Sequence, residues 1–201
     1  MDNDVRAAVP EDRDRLAATL ADAFATDPIL SWMFGAEPPS PARLTRLFDI
    51  VLAEEFRKPT HLVETTGDAD GVAIWFDVGD AGMSNGDIVR IAPKMLSLFR
   101  TKMPRVLRLM AAMDAGHPKE PHRYLYFVGV RKAAQRTGVG ASLLTSVLDR
   151  CDAEGIPAYL ENSNPANTAF YARYGFVERG QVVLPDGAPP FIPMWREPRS
   201  T

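Results

Sequence analysis

Apolar residues change their spacing along this chain, and each spacing predicts a different element. From Tyr124 to Val130 they are nearly continuous and rich in aromatic and β-branched types, which is typical of a strand covered on both faces. From Ala141 to Leu148 they recur at helical spacing. Segments 61–67 and 71–79 are strand-like again, and the GDADG between them supplies the turn residues of a hairpin. The chain therefore combines helices and strands.

The same criteria give an order of elements for the whole chain. In the first half they predict strand 5–9, helix 11–24, a short helix from Pro28, a helix around 44–52 and strands 61–67 and 71–79. Helices across 85–116, divided at Pro93 and Pro104, come next. The second half follows with strand 124–130, helix 141–153, strand 157–163, a helix from Asn164 ending before Gly175, strand 176–184, a turn at 185–187 and strand 191–197. This order predicts an α/β fold of the mixed α+β kind. One central mixed sheet of about six to seven strands would be flanked by helices.

Composition narrows the class of protein. The 201 residues are 46% hydrophobic, so we expect one domain spanning 1–201, with the methionine-rich helical stretch at 85–116 as an insertion. A net charge of −3 argues against a nucleic-acid-binding module, which is usually basic. The charged N-terminus lacks an apolar signal core, and no run is long enough to span a membrane. With a single cysteine, Cys151, these features predict a cytoplasmic protein.

A basic loop with two glycines joins the strand at 124–130 to the helix that follows it. Gly138 and Gly140 precede that helix, where unpaired backbone N–H groups and a partial positive charge favour an anion. Glycine there lets a phosphate approach the backbone closely. A structural turn explains a bare GxG equally well. The motif GxxxxGK[ST] is absent, and GxGxxG fails because the third glycine position is Leu143.

Two segments resemble motifs of the GNAT superfamily of N-acyltransferases. Gln135-x-x-Gly138-x-Gly140, after an apolar strand, resembles the acyl-CoA loop of that family. The segment NPANTAFYARYGF at 164–176 is similar to its NxxNxxFYxxxGF motif, and the two lie in the family's order. The run YLENSNPANTAFYARYGF and the later PDG…PMWREP are most similar to the branch that contains puromycin N-acetyltransferase. The resemblance covers about 122–197 well and the N-terminal part loosely.

This resemblance implies a GNAT-like fold whose middle strands splay apart, with acetyl-CoA as the acyl donor between them. Backbone groups near 128–130 would pair with the pantetheine, and the N–H groups of residues 136–141 would hold the pyrophosphate. The implied cofactor-binding residues are Val128, Gly129, Val130, Arg136, Thr137, Gly138, Val139, Gly140, Ala141, Ser142, Asn164 and Asn167. The sequence departs from common members by having Arg136 where glycine is frequent, which leaves the backbone amide in place.

Acyl transfer to an amine needs a group that takes a proton from the amine and one that protonates the leaving thiolate. The resemblance places Tyr171 near the thioester sulfur. A phenol stays protonated at neutral pH, so Tyr171 is the predicted general acid, with simple ring packing as the alternative. Glu161, a carboxylate inside an apolar strand, is the candidate base, with a structural ion pair as the alternative. His122 titrates in a suitable range, but a surface histidine is the simpler interpretation. No cysteine or histidine spacing indicates a metal site.

Three functions fit these features. The first is an acetyltransferase that acts on a primary amine of a small molecule. The second acts on a protein or peptide amine, and the third is a non-catalytic acyl-CoA sensor. Tyr124 and Tyr126 are expected on one face of their strand, where they would shape the acceptor site. The helices before residue 56 either fill a core or line that site. The helices at 85–116 are either a packing insertion or a lid over it. No nucleic acid or membrane partner is expected, and a homodimer stays open.

Overall fold

The computed structural model describes residues 4–35, 38–80, 82, 84–180, 182 and 187–199. Its strands are β1 (Val5–Ala7), β2 (His61–Thr66), β3 (Gly71–Phe76), β4 (Arg123–Val130), β5 (Ala158–Asn162), β6 (Val177–Glu178) and β7 (Ile192–Arg196). Its helices are α1 (Arg13–Ala23), α2 (Pro28–Phe34), α3 (Pro41–Glu55), α4 (Asn85–Phe99), α5 (Met103–Gly116), α6 (Val139–Glu154) and α7 (Thr168–Arg173). This order of elements along the chain is the predicted one.

The strands form one mixed sheet in the order β1-β2-β3-β4-β5-β7-β6. Neighbouring strands are antiparallel except β4 and β5, which are parallel. The predicted α/β fold with a central sheet of six to seven strands is therefore confirmed, with seven strands among the described residues.

The middle pair of strands separates after a short paired stretch. β4 pairs with β5 only from Arg123↔Ala158 to Leu125↔Leu160, although β4 continues to Val130. On its other edge, β4 stays paired with β3 as far as Val130↔Gly71, and the register shifts by one residue near Tyr126. A bulge of this kind bends a strand and re-aims its side chains. The predicted splay of the middle strands is present and opens on the β5 side of β4.

The two faces of the sheet carry separate apolar cores. Helices α1 to α5 cover one face, and α6 and α7 cover the other. Cys151 is fully buried on the α6 side. Because the gap between β4 and β5 connects the two faces, ligands bound there can contact elements on both.

The helical stretch 85–116 is divided differently from the prediction. Pro93 does not end a helix, because α4 runs through it to Phe99. A proline inside a helix frees the carbonyl four residues earlier, here that of Val89. Both residues lie on the exposed face of α4, so water can satisfy that carbonyl. The actual break is at Arg100, whose φ is 49°, and Pro104 then opens α5.

The predicted strand 176–184 is shorter than expected. Only Val177 and Glu178 form β6, which pairs with β7, and Val182 makes an isolated bridge to Phe191. Residues 183–186, which include most of the predicted turn, lie outside the described residues. Among the helices that the structure describes, none has the length and apolar character needed to cross a membrane.

Candidate active site

The unpaired edge of β4 supplies backbone groups to the gap between the strands. Alternate residues of a strand direct their N–H and C=O groups to opposite edges, so β4 beyond Leu125 has groups facing the gap that β5 does not satisfy. Tyr126, Phe127, Val128 and Val130 are only half-buried. This edge includes Val128, Gly129 and Val130, the segment implied to pair with the pantetheine.

The N-terminus of α6 lies next to this edge and has no side-chain cap. Gly138 is the residue before the first turn, with a φ of 97°, and no side chain accepts a hydrogen bond there. The first turn of a helix leaves its N–H groups without intrahelical partners. Residues 135–138 are exposed. The predicted phosphate-binding loop is thus open rather than blocked by its own side chains.

Arg136 adopts a left-handed conformation, with a φ of 65°. This conformation is costly for residues with a Cβ, which explains why glycine suits the position in similar proteins. Within the described part of the chain, the Arg136 guanidinium makes no ion pair. Arg131, by contrast, pairs with Asp70 at 2.5 Å. Arg136 is therefore a basic side chain of this loop that stays available for an anion.

The remaining implied cofactor residues differ in their surroundings. The backbone of Gly129 packs on α1, where a Cβ would meet side chains of Leu20 and Ala23 at 3.0 Å. Asn167 lines the cavity described next, while the side-chain oxygen of Asn164 accepts a hydrogen bond from the Ala166 N–H at 3.1 Å. The hydroxyl of Ser142 is 3.4 Å from the Gly138 carbonyl oxygen.

A cavity of about 180 Å³ opens beside the separated strands. Its walls come from α2, α3, β4, β5 and the start of α7, and helices α4 and α5 close a further side. The side chains that α4 and α5 contribute are Ile91, Met95, Val106, Leu109, Met110 and Met113. Tyr124 and Tyr126 both line the cavity with ring centres 5.9 Å apart, as expected for residues on one face. Four carboxylates also line this largely apolar space: Asp27, Glu54, Glu55 and Glu161.

Tyr171 lies where the cavity meets the strand gap, in the middle of α7. Its side chain is buried, and Leu160 and Val128 line the same space. Burial and the nearby negative charge of Asp27 raise the pKa of Tyr171 well above that of a free phenol. A raised pKa keeps the hydroxyl protonated at neutral pH, which is the state that a proton donor needs.

Asp27 is the carboxylate close to Tyr171. It caps α2 by accepting a hydrogen bond from the Leu30 N–H at 2.9 Å, and the Ser163 hydroxyl donates to it at 2.5 Å. Burial raises the pKa of Asp27, and these hydrogen bonds oppose that effect only in part. Sequence reasoning missed Asp27. The Asp-Pro pair that starts α2 is a helix-cap signal, and nothing in it indicates proximity to Tyr171.

Glu161, which also lines the cavity, lies at the centre of a polar cluster. The Tyr124 hydroxyl donates to its Oε2, the Tyr159 hydroxyl donates to its Oε1 at 3.0 Å, and His117 Nδ1 lies 3.7 Å from Oε1. Its side chain is only 1% exposed. His122 Nε2 lies 3.2 Å from His117 Nε2. The interpretation of His122 as a surface residue is wrong, because it is buried, and burial lowers its pKa.

Glu54 and Glu55, at the end of α3, have different partners. Glu54 accepts hydrogen bonds from the Arg90 guanidinium on α4, at 2.6 to 3.2 Å. Glu55 bonds to Nδ1 of the fully buried His61, and His61 Nε2 lies 3.0 Å from Asp80 Oδ2. Sequence reasoning did not identify either carboxylate, because neighbours on a helix point in different directions and nothing local indicates that both reach a cavity.

Comparisons with known proteins agree with this fold. Residues 111–197 match the family model of the acetyltransferase (GNAT) domain. An uncharacterised N-acetyltransferase of Schizosaccharomyces pombe is 29% identical over 188 residues, which cover 87% of this chain and 74% of that protein. The crystal structure of a histone acetyltransferase HPA2 and related acetyltransferase from Corynebacterium glutamicum superposes with a TM-score of 0.73 and 26% identity, covering 100% of this chain and 99% of the other.

A second similar structure contains coenzyme A, the form that acetyl-CoA takes after it has given up its acetyl group. The PaiA N-acetyltransferase of Thermoplasma acidophilum, solved in complex with coenzyme A, has a TM-score of 0.56 at 13% identity, covering 96% of this chain and 98% of that one. At this identity the likeness concerns the fold. Taken together, the fold, the match of residues 111–197 and the relatives show an acetyl-CoA-dependent acetyltransferase with a GNAT fold.

Proposed function

We propose that this enzyme transfers an acetyl group from acetyl-CoA to a primary amine of a small molecule by direct attack. The observation that carries this proposal is the apolar cavity with four carboxylates beside the strand gap. Its carboxylates suit a cationic amine, and its apolar walls suit a small hydrophobic body. Helices α4 and α5 cover it, whereas a protein substrate would need an open groove. The 85–116 segment is then a cover inserted into one domain spanning 1–201.

The donor side of the proposal rests on backbone groups. The free edge of β4 at 128–130 would pair with the pantetheine, and the N–H groups at 136–141 would bind the pyrophosphate. A Cβ at Gly140 would make only ordinary contacts, 3.4 Å from Phe170 and 3.5 Å from Val130, so packing within the chain does not require glycine there. Close approach of a phosphate would require it.

The acid in this proposal is Tyr171, which would protonate the thiolate of coenzyme A as it leaves. Its position where the cavity meets the gap, its burial and its raised pKa support this role. Glu161 would accept a proton from the acceptor nitrogen as the amide forms. Its place in the cavity wall supports this assignment, and the hydroxyls of Tyr124 and Tyr159 would fix its orientation.

A protein or peptide amine is the second candidate acceptor. The C. glutamicum relative, whose name includes a histone acetyltransferase, is the observation that favours it. The first candidate also agrees with the resemblance of 159–176 to the puromycin N-acetyltransferase branch, which we propose as the nearest group.

A panel of acceptors tests the proposal. Release of coenzyme A would be measured with small aromatic and aliphatic primary amines, with a lysine-containing peptide and with peptides that have free N-termini. We expect turnover with at least one small amine and none with the peptides. Product mass spectrometry would confirm a single added acetyl group. Turnover of peptides alone would refute the small-molecule proposal and support the second candidate.

A further inference from the structure

Acetylation of a protonated primary amine removes two protons from the nitrogen. The amine is an ammonium ion at neutral pH. In R–NH3+ + CH3CO–S–CoA → R–NH–COCH3 + CoA–SH + H+, the C–S bond breaks, the C–N bond forms and the nitrogen loses two hydrogens. One proton ends on the thiol sulfur, and the other is released. In the proposed function, Glu161 takes one proton from the nitrogen as the amide forms, and Tyr171 gives one to the leaving sulfur. A separate group has to hold the proton that leaves the ammonium beforehand.

Glu55 is a candidate for this group, because the side chains of His61 and Asp80 follow it in a row leading away from the cavity. Its carboxylate lines the cavity, although the side chain is only 4% exposed. One of its oxygens bonds to His61 Nδ1. On the other edge of the imidazole, Nε2 lies 3.0 Å from Asp80 Oδ2, an ion-pair distance without the alignment of a hydrogen bond. Asp80 is held in turn by the Thr60 hydroxyl at 2.5 Å and the Gly82 N–H at 2.8 Å.

The neighbouring carboxylate shows what is special about this arrangement. Glu54 lines the same cavity but is bonded to Arg90, and an arginine does not lose or take up a proton in proteins. His61 can carry a hydrogen on either or both nitrogens. The Glu54 pair is therefore fixed in charge, whereas the Glu55 pair can gain a proton.

The surroundings of His61 would stabilise an added charge. Its ring stacks on Phe76, with centroids 3.8 Å apart. Besides Glu55 and Asp80, the nearest charged side chain on the same turn is Lys58, which is directed away to Asp87 at 3.3 Å and to the Gly82 carbonyl at 2.5 Å. From β4, Tyr124 and Tyr126 pack against the far side of Phe76. A protonated His61 would thus lie between two carboxylates, bonded to Glu55 through Nδ1 and within ion-pair distance of Asp80 through Nε2, where the alignment is not that of a hydrogen bond.

We propose that Glu55, His61 and Asp80 take up and hold the proton that the acceptor ammonium loses before attack. Glu55 shares a proton with His61 Nδ1. When its outer oxygen takes the proton of the ammonium, the shared proton moves fully onto Nδ1, and Asp80 compensates the imidazolium. After the product leaves, the transfer reverses and the proton passes to water in the open cavity. Glu55 touches the acceptor, and His61 and Asp80 act through it. The inference rests on the proposed small-amine acceptor.

The test varies the basicity of the acceptor. A turned-over primary amine would be compared with an analogue fluorinated two carbons from the nitrogen, which has a similar shape but is a much weaker base and is largely neutral at pH 7.5. For the basic amine, His61→Gln should lower kcat/KM about 100-fold and Asp80→Asn about 10-fold. For the fluorinated amine, both variants should stay within about threefold of the wild type. The losses with the basic amine should also shrink as pH rises towards the pKa of that amine.

Asp77→Asn is the matched control. Asp77 lies on the same loop as Asp80, but its carboxylate bonds to Arg123 on the other side of the sheet. This variant should leave both kinetic constants unchanged. Asp80 is at the outer end of the cluster, so Asp80→Asn keeps the test decisive if His61→Gln fails to fold. Equal losses with both amines, or no loss in Asp80→Asn, would overturn the proposal. A wild type that acetylates no small amine would instead refute the proposed function itself, and this inference with it.

Discussion

The proposed donor side and the proposed acceptor side of this molecule are built by different means. The donor side consists of one strand edge and one helix N-terminus that are close in sequence, and its predicted contacts are backbone groups. The acceptor side consists of side chains from seven separate elements that meet only in the folded chain. A backbone site tolerates side-chain changes such as Arg136, whereas a side-chain site changes its specificity with each substitution. Variants of each kind can therefore separate binding of the donor from recognition of the acceptor.

The largest effect is expected at the junction of the two sides. Tyr171→Phe should lower kcat about 100- to 1,000-fold, because the leaving thiolate loses its proton donor. The affinity for coenzyme A should stay within about threefold of the wild type, since only one hydroxyl is removed. Steady-state kinetics and calorimetric titration with coenzyme A measure the two quantities. A variant with wild-type kcat would exclude Tyr171 as the acid.

A bulky residue at the start of α6 should impair the donor side alone. Gly138→Val forces a β-branched residue into a φ of 97° and fills space beside the first-turn N–H groups, so the dissociation constant of coenzyme A should rise about 100-fold. Gly155→Val, at the other end of α6 with a φ of 68°, is the control for backbone strain. Gly155→Val should lower the melting temperature without weakening the binding of coenzyme A. Equal affinity of the two variants for coenzyme A would contradict the proposal that the start of α6 binds the pyrophosphate.

Filling the cavity should impair the acceptor side alone. Met110→Trp places a larger ring where α5 lines the cavity, and the KM of a small amine should rise about 10-fold. The KM of acetyl-CoA should not change. Leu107→Trp is the matched control, because Leu107 is on the same helix but 57% exposed. If both variants behave alike, α5 does not contact the acceptor.

The smallest effect concerns the stability cost of a buried carboxylate. Asp27→Asn should raise the free energy of unfolding by about 1 kcal/mol at pH 7, since asparagine also caps helices but carries no charge. The pKa of Asp27 is raised in the folded state, so the folded protein loses stability as pH rises from the unfolded pKa through the folded one. The gain should therefore vanish at low pH, where both states are protonated. Urea denaturation at several pH values measures it, and a pH-independent gain would point to another cause.

The fold was largely predictable because its signals are local. Apolar periodicity located the elements around β4 and α6, and the glycines that end α6 and α7 gave their boundaries. Pro93 was misread because its effect depends on whether the freed carbonyl faces water, and exposure is a property of the folded chain. The short β6 could not be separated from its loop, because two residues have no periodicity.

The candidate site was predictable to the extent that it follows motifs. Tyr171, the glycine loop and Asn167 lie in recognisable segments, and the structure brings Tyr171 and Asn167 to one cavity with Glu161. Asp27 precedes α2, and Glu54 and Glu55 end α3. All three are far from the motifs in sequence, at positions where a carboxylate ordinarily faces water. Only the packing of α2 and α3 against β4 and β5 brings them together. The partners of His61 could not be predicted from the sequence either, because Glu55 lies on the preceding helix and Asp80 lies beyond the following hairpin.

The position of β7 has a consequence for how the chain is made. β7 follows β6 in sequence but lies between β5 and β6 in the sheet. On a ribosome, β5 therefore has no neighbour on that side, and β6 has no sheet to join, until Ile192–Arg196 has emerged. Nascent chains that stop short of these residues should expose an unpaired strand edge and be recognised by chaperones or proteases, so that only chains carrying β7 accumulate as enzyme.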